Sequence, residues 1–336
     1  MSIDGKTILI TGGTGFLGRA LAREMLKRSP KSIRVYSRDE AKHHVMQEEF
    51  KGENRLRYLV GDVRDVDRLK KAASGCDVVI HAAALKRIDM IEYNVAEAIK
   101  TNVLGTMNVV DACLDADVEK AVFISTDKAC MPVNTYGACK FVGERVFTES
   151  NYSKGNARTA FTCVRYGNVL ESTGSVIPFF MSKIRDGKPV PVTDKRMTRF
   201  MISPAQAVEL VFHALEHAVG GEIFVPAALP AFNIVDLVHA LASIAGATPF
   251  ITITGSRPGE KLHEMLVNDC EIPRAVLYDG LYVVTSEIGK YITAAANPVY
   301  LSRGVPVPEG SREYCSKDAV ICASDLEKLL RRFGVA

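Results

Sequence analysis

The sequence predicts an α/β protein built on a doubly wound parallel sheet, followed by a smaller region. Short apolar runs alternate with helical patterns from Lys6 to about residue 165, the order that strands and crossover helices of a parallel sheet require. Beyond about residue 170 the alternation stops, and three prolines (178, 189 and 191) interrupt the short patterns. We expect one domain over residues 1–170, to which later segments return, and a second region with a C-terminal extension over residues 171–336.

The hydrophobic content, the net charge and the cysteine pattern limit the classes of protein to which the chain can belong. The chain has 336 residues, of which 47% are hydrophobic, and this is enough for a sizeable core. A net charge of +3 gives no reason to expect nucleic acid or a membrane surface as a partner. The eight cysteines contain no Cys-x2-Cys pair, so we expect reduced thiols and no metal site. With no signal region and no run of 18 apolar residues, we expect a cytoplasmic protein.

A glycine-rich turn follows the first predicted strand, which ends at Thr11. Glycines stand at 12, 15 and 18, and a helical pattern runs from Arg19 to Lys27. Such glycines let the backbone approach a pyrophosphate, whose charge is met by the N-terminus of the helix. The order of strand, turn and helix therefore predicts a Rossmann-like fold that binds a dinucleotide.

The second predicted strand, Ser32 to Tyr36, ends in residues that bear on the ribose of the cofactor. Asp39 stands about where an acidic residue binds the ribose hydroxyls of NAD. Ser37 and Arg38, however, directly follow the strand, where a hydroxyl and a guanidinium suit a 2′-phosphate. Asp39 would then cap the next helix. We expect NADP, and NAD stays open.

Two further strands lead to candidate cofactor contacts. The third, Leu56 to Val60, ends near Asp62, which could accept from an adenine amine. The fourth, Cys76 to Ile80, is followed by alanines 82–84, whose small side chains let a turn lie flat against a cofactor. The helix after it carries Asn102, either a satisfied core amide or an active-site brace.

The stretch after the fifth predicted strand carries the chemistry. Tyr136 and Lys140 lie four apart and so share a helix face, where an ammonium lowers the tyrosine pKa and makes the phenol a usable general base. Asp127 and Lys128 stand side by side at the strand end. An acid and an amine placed there can act on adjacent substrate carbons, as elimination of water requires. Taken alone, this pair is more simply a surface ion pair.

Three basic and polar turns lie beyond the main alternation. They cover residues 165–168, 193–199 and 257–261, the first of them at the end of a sixth strand, Phe161 to Arg165. Arginines in loops suit bidentate recognition of a diphosphate. Three such turns in one region predict a substrate-binding part.

With these residues assembled, the chain resembles the extended short-chain dehydrogenase/reductase superfamily, and within it is similar to the inverting UDP-N-acetylglucosamine 4,6-dehydratases. Thr-Asp-Lys-Ala at 126–129, followed by Pro-x-Asn-x-Tyr-Gly at 132–137, separates this group from ordinary sugar-nucleotide epimerases. The sequence departs from the family at Glu171-Ser172-Thr173, and no family pattern follows about residue 270. The matching stretches are 11–18, 35–40, 81–87, 100–102, 125–140, 165–169, 196–200 and 257–264.

The resemblance implies dehydration with a recycled cofactor. Tyr136 would remove the proton of the sugar 4-hydroxyl while hydride leaves carbon 4 for NADP. Lys128 would take the proton of carbon 5, if burial and the cofactor charge keep the amine neutral, and Asp127 would protonate the departing 6-hydroxyl. Hydride then returns to carbon 6, and reprotonation of carbon 5 from the opposite face gives a UDP-linked 4-keto-6-deoxy-L-hexose.

The resemblance also implies a set of site residues and a homo-oligomer. Thr126 would bond near the 4-oxygen, and Asn102 would support the catalytic lysine. The candidate catalytic residues are Thr126, Asp127, Lys128, Tyr136 and Lys140. The candidate cofactor residues are Gly12, Thr14, Gly15, Phe16, Gly18, Ser37, Arg38, Lys42, Asp62, Val63, Ala82, Ala83, Ala84, Asn102, Tyr136 and Lys140. The candidate substrate residues are Lys86, Asn168, Thr193, Arg199, Arg257 and Glu260.

Two other functions stay open. A UDP-sugar isomerase, either a 4-epimerase or a combined dehydratase and epimerase, would share the fold, the cofactor, Tyr136 and Lys140. A simple epimerase, however, needs no Asp127-Lys128 pair, because its reaction eliminates nothing. A cofactor-binding regulatory protein without turnover would not require all five candidate catalytic residues.

Overall fold

The protein is described by a computed structural model over residues 2–170, 176–286, 288, 298–308 and 310–335. The departure expected at Glu171-Ser172-Thr173 lies outside the described residues. The strands are β1 (Thr7–Thr11), β2 (Ser32–Ser37), β3 (Leu56–Val60), β4 (Val78–His81), β5 (Lys120–Ile124), β6 (Ala160–Val164), β7 (Asn168–Val169), β8 (Val190–Val192), β9 (Thr198–Ile202), β10 (Ile223–Pro226), β11 (Ala231–Asn233), β12 (Ile251–Ile253), β13 (Met265–Val267), β14 (Ala275–Tyr278), β15 (Leu281–Val284), β16 (Val305–Pro306) and β17 (Tyr314–Cys315).

The helices flank the sheets and connect their strands. A π-helical turn at Lys100–Leu104 separates two of them, and a 3₁₀ turn at Asp127–Ala129 follows β5. The helices are α1 (Phe16–Leu26), α2 (Glu40–Glu49), α3 (Val66–Ala73), α4 (Ile88–Tyr93), α5 (Val95–Ile99), α6 (Gly105–Asp115), α7 (Thr135–Ser153), α8 (Val176–Arg185), α9 (Pro204–His217), α10 (Ile234–Ala245), α11 (Val299–Arg303) and α12 (Ala323–Arg332).

The main sheet confirms the predicted fold class. Its order is β16-β14-β15-β10-β6-β5-β4-β1-β2-β3, which contains the Rossmann order 3-2-1-4-5-6. Neighbouring strands from β3 through β10 are parallel, and all five residues of β1 and of β6 are buried. Apolar runs without alternation are typical of strands covered on both faces.

Late segments of the chain add strands to this sheet. After β10, an antiparallel β14–β15 hairpin pairs with it, and β16 closes the edge. The hairpin turns at Asp279-Gly280, and α12 is the last helix of the described chain. Among the described residues, no helix combines the length and the hydrophobicity that crossing a membrane needs.

A second group of buried side chains lies outside the main sheet. It joins α8, α10 and α12 with β8 through residues such as Phe180, Leu237, Leu241, Leu326 and Leu330. The small sheets β11-β9-β7 and β12-β8 belong to the same part of the molecule. Because β7 begins shortly after β6 ends, the sheet that contains β7 lies next to the carboxyl end of β6.

Candidate active site

One cleft of about 870 Å³ runs along the carboxyl ends of the main parallel strands. The switch in strand order between β1 and β4 lies there, which is where open α/β sheets bind ligands. The cleft brings together the predicted cofactor residues, with the exception of Asn102. Those that line it are Gly12, Thr14, Gly15, Phe16, Gly18, Ser37, Arg38, Lys42, Asp62, Val63, Ala82, Ala83, Ala84, Tyr136 and Lys140.

The glycine-rich turn has the tight geometry that a pyrophosphate needs. Gly12 has φ +68°, and a Cβ there would lie 2.8 Å from Cα of Ala83. A Cβ on Gly18 would lie 2.4 Å from the carbonyl oxygen of Gly13. The backbone therefore stays bare at the N-terminus of α1, where unpaired N–H groups favour an anion. The turn fits a dinucleotide pyrophosphate.

The end of β2 presents basic and hydroxyl groups to the cleft. Asp39 caps α2, since its side chain accepts from the Lys42 backbone N–H at 3.1 Å. Arg38 is 54% exposed, and its guanidinium lies 3.9 Å from the Asp62 carboxylate. The Thr14 hydroxyl donates to Ser37 Oγ at 2.8 Å. Asp39 therefore has the predicted capping contact, and the Arg38 guanidinium and the Ser37 hydroxyl line the cleft at the end of β2.

Asp62 lines the cleft, but its carboxylate is already engaged. Oδ1 accepts from the Arg64 backbone N–H at 3.0 Å, and Oδ2 accepts from the Arg64 guanidinium at 2.7 Å. These bonds hold the pKa of Asp62 below its ordinary value, although burial opposes the shift. The contact between Asp62 and an adenine amine stays a prediction.

Asn102 braces the loop after β4, and its expected support of the catalytic lysine stays a prediction. Its Nδ2 donates to the Leu85 carbonyl and its Oδ1 accepts from the Leu85 N–H, both at 2.8 Å. Asn102 lies in the π-helical turn, a feature that often marks functional sites. The amide therefore positions the loop after β4, which lines the cleft, and it does not line the cleft itself.

A buried hydrogen-bond chain fixes the same loop from below. The Ala83 N–H donates weakly to Thr11 Oγ1 at 3.4 Å, and that hydroxyl lies 2.7 Å from His81 Nδ1. The Thr106 hydroxyl donates to the Asn102 carbonyl at 2.7 Å and so accepts from His81 Nε2 at 3.0 Å. These contacts assign the Nε2–H tautomer. Burial lowers the pKa of His81 to about 3, so the ring is neutral.

The structure places the predicted acid and base together at the end of β5. Lys128 Nζ lies 3.0 Å from Oδ1 of Asp127 and 3.2 Å from Oδ1 of Asn168. The Thr126 hydroxyl donates to the same Asp127 oxygen at 2.8 Å. Asp127 is fully buried, whereas Thr126 and Lys128 line the cleft. This is a buried ion pair beside the cleft, and the alternative of a surface ion pair was wrong.

A second carboxylate at this pair was missed. Glu264 is 3% exposed, and its Oε1 lies 3.6 Å from Lys128 Nζ. Burial opposes the ammonium of Lys128, but Asp127 and Glu264 outweigh it and raise the pKa of Lys128 above its ordinary value. In the protein without cofactor or substrate, Lys128 is therefore charged at neutral pH. Burial alone does not keep the amine neutral.

Tyr136 and Lys140 share a face of α7 as predicted, but the lysine points elsewhere. Lys140 Nζ donates to the Ile124 carbonyl at 2.7 Å and lies 4.3 Å from the centre of the Phe123 ring. Burial raises the pKa of Tyr136 to about 12, and Lys128 is the main group that lowers it. The expected effect of Lys140 on the phenol was therefore wrong for this geometry. Burial lowers the pKa of Lys140 to about 8.

The predicted substrate residues divide into two groups. Lys86 and Asn168 line the cleft. Arg199 lies behind Glu264, with Nε 3.7 Å from Oε1. Thr193 contacts Met197, while Glu260 accepts from the Arg257 N–H and closes an exposed turn. Contacts of these last residues with a nucleotide stay predictions.

Two arginines of the basic turns have other partners. Arg165 is 1% exposed and forms paired hydrogen bonds with Glu144 and Glu271, at distances from 2.6 to 2.9 Å. It belongs to a buried ion triad and cannot also clasp a diphosphate, so that expectation was wrong. Arg196 is exposed and pairs with Asp194 at 2.7 Å.

The segment 257–264 packs against the catalytic stretch. Lys261 Nζ donates to the Cys130 carbonyl at 2.6 Å, and Glu264 contacts Lys128. The segment was predicted only to bind the UDP portion. No local signal could have shown these contacts, because the two stretches meet only when β13 packs against the 3₁₀ turn after β5.

Comparisons with known proteins identify relatives along most of the chain. The sequence profile of a family described as polysaccharide biosynthesis protein matches residues 8–286. A Campylobacter jejuni UDP-N-acetylglucosamine 4,6-dehydratase (inverting) is 45% identical over 85% of this chain and 84% of its own. A UDP-glucose 4-epimerase of Rickettsia typhi is 40% identical over 84% and 83%. The X-ray structure of Pen from Bacillus thuringiensis superposes with a TM-score of 0.92 at 36% identity, covering 100% of both chains.

The fold and the cleft define an enzyme of the extended short-chain dehydrogenase/reductase class, whose glycine-rich turn has the geometry of a dinucleotide site. The chain belongs to the polysaccharide biosynthesis protein family. The resemblance to the inverting UDP-N-acetylglucosamine 4,6-dehydratases is confirmed.

Proposed function

We propose that the protein is a configuration-inverting UDP-N-acetylglucosamine 4,6-dehydratase that uses a recycled NADP. The observation that carries the proposal is the contact between Asp127 and Lys128, 3.0 Å apart at the cleft beside Tyr136. Elimination of water needs an acid and a base on neighbouring carbons, and this pair supplies both. The identity of 45% with an enzyme of that name supports the same activity.

The ion pair can become the acid and the base without solvent. One proton that moves from Lys128 Nζ to Asp127 Oδ1, across 3.0 Å, leaves a neutral amine and a neutral carboxylic acid. Lys128 then accepts the proton of sugar carbon 5, and Asp127 donates to the departing 6-oxygen. This transfer accounts for a base role of Lys128 although its pKa is raised.

The remaining residues hold the sugar and the cofactor. A nicotinamide bound in the cleft supplies hydride acceptance and hydride return. Tyr136 takes the proton of the 4-hydroxyl, and Thr126 orients that oxygen. Lys86, Asn168 and Arg199 hold the sugar nucleotide, together with Thr193, Arg257 and Glu260. These roles, and a division near residue 170 into a cofactor part and a substrate part, belong to the proposal.

The cofactor is proposed to be NADP because Asp39 is engaged in capping α2, while Arg38 and Ser37 line the cleft at the end of β2. A guanidinium and a hydroxyl suit a 2′-phosphate. All eight cysteines are free thiols, six of them buried, which supports a reducing compartment such as the cytoplasm. We also expect a homo-oligomer, from the family resemblance alone.

The main alternative is a 4-epimerase. It is favoured by one observation, the 40% identity with Rickettsia proteins named UDP-glucose 4-epimerase. Epimerisation at carbon 4 requires Tyr136 and a nicotinamide, but it leaves carbons 5 and 6 untouched. A buried acid and lysine beside the tyrosine have no task in that reaction, and so the dehydratase is preferred.

Mass spectrometry in deuterated water tests the proposal. The purified protein is incubated with UDP-N-acetylglucosamine without added cofactor. A dehydratase gives a product that has lost water and carries deuterium at carbon 5. An epimerase gives a product of unchanged mass, and that outcome would overturn the proposal in favour of the alternative.

Lys128→Ala is the matching variant. Because it removes the proposed base from carbon 5, we expect loss of the dehydrated product while NADP binding is kept. NADPH fluorescence measures binding separately from turnover. Product formation at the wild-type rate would show that Lys128 is not the base.

A further inference from the structure

Glu264 has no task in the function proposed above, yet its carboxylate touches the acid and base pair. It directly precedes β13, is 3% exposed, and lies 3.6 Å from Lys128 Nζ. Its own backbone N–H donates to Ser316 Oγ at 2.9 Å, and this bond fixes the start of the strand. A buried carboxylate at this place costs free energy unless cations surround it.

Two cations of the neighbouring region complete the surroundings of Glu264. Arg199 Nε lies 3.7 Å from Oε1, and Lys261 Nζ lies 3.9 Å from Oε2. Glu264 therefore lies among three positive groups, of which Lys128 and Arg199 are distant from it in sequence and Lys261 belongs to its own segment. Among the described residues, Oε2 accepts no hydrogen bond. Charge attraction to these cations thus holds the Glu264 carboxylate next to Lys128.

We propose that Glu264 is a positioning residue that holds Nζ of Lys128 at sugar carbon 5 and keeps on Nζ the proton taken from that carbon. The inference rests on the proposed dehydration. In that step the C5–H bond breaks and an N–H bond forms on Lys128. The electron pair makes the C5–C6 double bond, the C6–O bond breaks, and Asp127 gives its proton to the leaving oxygen.

The charge balance explains why a second carboxylate is useful. After elimination, Asp127 has become a carboxylate and Lys128 an ammonium, so both carboxylates face Nζ and stabilise the captured proton. An ion pair that is shielded from water is stronger than an exposed one. The charged and titratable groups that face Lys128 are Asp127 on the same turn, Tyr136 on α7, Arg199 on β9 and Glu264 before β13.

The first experiment does not depend on turnover. The ¹⁵Nζ resonance of Lys128, assigned with Lys128→Arg, is titrated by NMR in the NADP-bound protein. Glu264→Gln removes the charge and keeps the shape, so the deprotonation midpoint of Lys128 is expected to fall by at least about one pH unit. Glu264→Asp restores the charge and is expected to return the midpoint toward that of the wild type. An unchanged midpoint in Glu264→Gln would overturn the proposal.

The second experiment uses the reaction. Glu264→Gln is expected to lower kcat at least about tenfold with little change in KM, and to move the high-pH limb of kcat downward with the NMR midpoint. Unchanged kcat would also overturn the proposal. If wild-type protein dehydrates nothing, the proposed function fails, but the NMR titration still decides whether Glu264 controls Lys128.

The matched control is Glu222→Gln. Glu222 is 1% exposed, accepts from the Val219 N–H and the Tyr300 hydroxyl, both at 2.7 Å, and does not line the cleft. Its loss is expected to reduce stability and to leave the Lys128 midpoint unchanged. Far-UV circular dichroism checks the fold of each variant. If Glu264→Gln does not fold, Glu264→Asp must show a reduced kcat with the wild-type midpoint, and a wild-type kcat would overturn the proposal.

Discussion

Asn134 and Gly259 tie the loop before β13 to the N-terminus of the catalytic helix. Asn134 Nδ2 donates to the Gly259 carbonyl at 2.8 Å, and its Oδ1 accepts from the Gly137 N–H at 2.7 Å. One side chain thus caps α7, which carries Tyr136, and also holds the segment that ends in Glu264. The Asn134 amide therefore fixes the position of the segment that contains Glu264 relative to the helix that carries Tyr136.

Gly259→Ala tests whether the contact between Gly259 and Asn134 matters for catalysis. Gly259 has φ +79°, and a Cβ there would lie 2.9 Å from Cβ of Asn134. We expect the loop to shift and kcat/KM to fall by roughly tenfold or more, because small displacements of positioning groups reduce rates strongly. Gly255→Ala is the control, since Gly255 has φ +84° and a Cβ there would have no neighbouring atom within 4 Å. Equal losses of kcat/KM in both variants would show that backbone strain lowers the rate and that the contact with Asn134 does not contribute.

Arg38→Ala tests the cofactor proposal. We expect NADPH to bind about 10 to 100 times more weakly, since hydrogen bonds to a charged group contribute roughly 1.5–3 kcal/mol, while NADH binding stays nearly unchanged. Fluorescence titration with each nucleotide measures the ratio. Arg57→Ala on β3 removes an exposed arginine outside the cleft and should alter neither affinity. Equal weakening for both nucleotides in Arg38→Ala would contradict recognition of the 2′-phosphate.

Arg165→Met tests the buried triad. The substitution keeps much of the volume but leaves Glu144 and Glu271 as unpaired buried carboxylates. Breaking a buried ion network from one side typically costs about 3–5 kcal/mol, and we expect a loss of that size in the free energy of unfolding, measured with urea. Arg196→Met breaks an exposed pair with Asp194 and should leave the unfolding midpoint nearly unchanged. A neutral result for Arg165→Met would mean that the carboxylates become protonated at little cost.

His81 makes the stability of the protein depend on pH. Its pKa is about 3 in the folded protein and 6.5 in the unfolded chain, so the unfolded chain binds the extra proton first as pH falls. Stability is therefore full above about pH 6.5 and falls toward pH 3, with a slope of up to about 1.4 kcal/mol per pH unit. Urea unfolding between pH 7 and 4 should give a smaller slope in His81→Gln. Exposed His44→Gln should keep the wild-type slope, and a wild-type slope in His81→Gln would refute the assignment.

The main sheet and the cofactor half of the cleft could be predicted because their signals are local. The strand, glycine turn and helix from Thr7 to Leu26 lie within a few residues of each other, and burial on both faces imposes continuous apolar runs. The pair of Tyr136 and Lys140 could be found for the same reason. Spacing along one helix is visible in sequence.

The environment of Lys128 could not be predicted, because it depends on tertiary contacts. Its charge is decided by burial and by Glu264, which reaches it only through the packing of β13. Similarly, the partner of Asn102 is the backbone of Leu85, and a backbone group leaves no pattern in sequence. The partners of Arg165 could not be seen in the sequence either, because Glu144 lies on α7 and Glu271 follows β13. Without these partners, the arginine was interpreted as a ligand for phosphate.

The antiparallel hairpin at the edge of the main sheet has a consequence for biosynthesis. Strand β10 acquires its outer partner only when β15 pairs Val284 with Ile223. A ribosome must therefore deliver most of the polypeptide before that edge is covered, and until then an apolar strand offers free backbone groups to other nascent chains. The family match extends to residue 286, so the expectation that no family pattern follows about residue 270 was wrong for this hairpin. The hairpin thus covers the edge of β10 and ends this exposure.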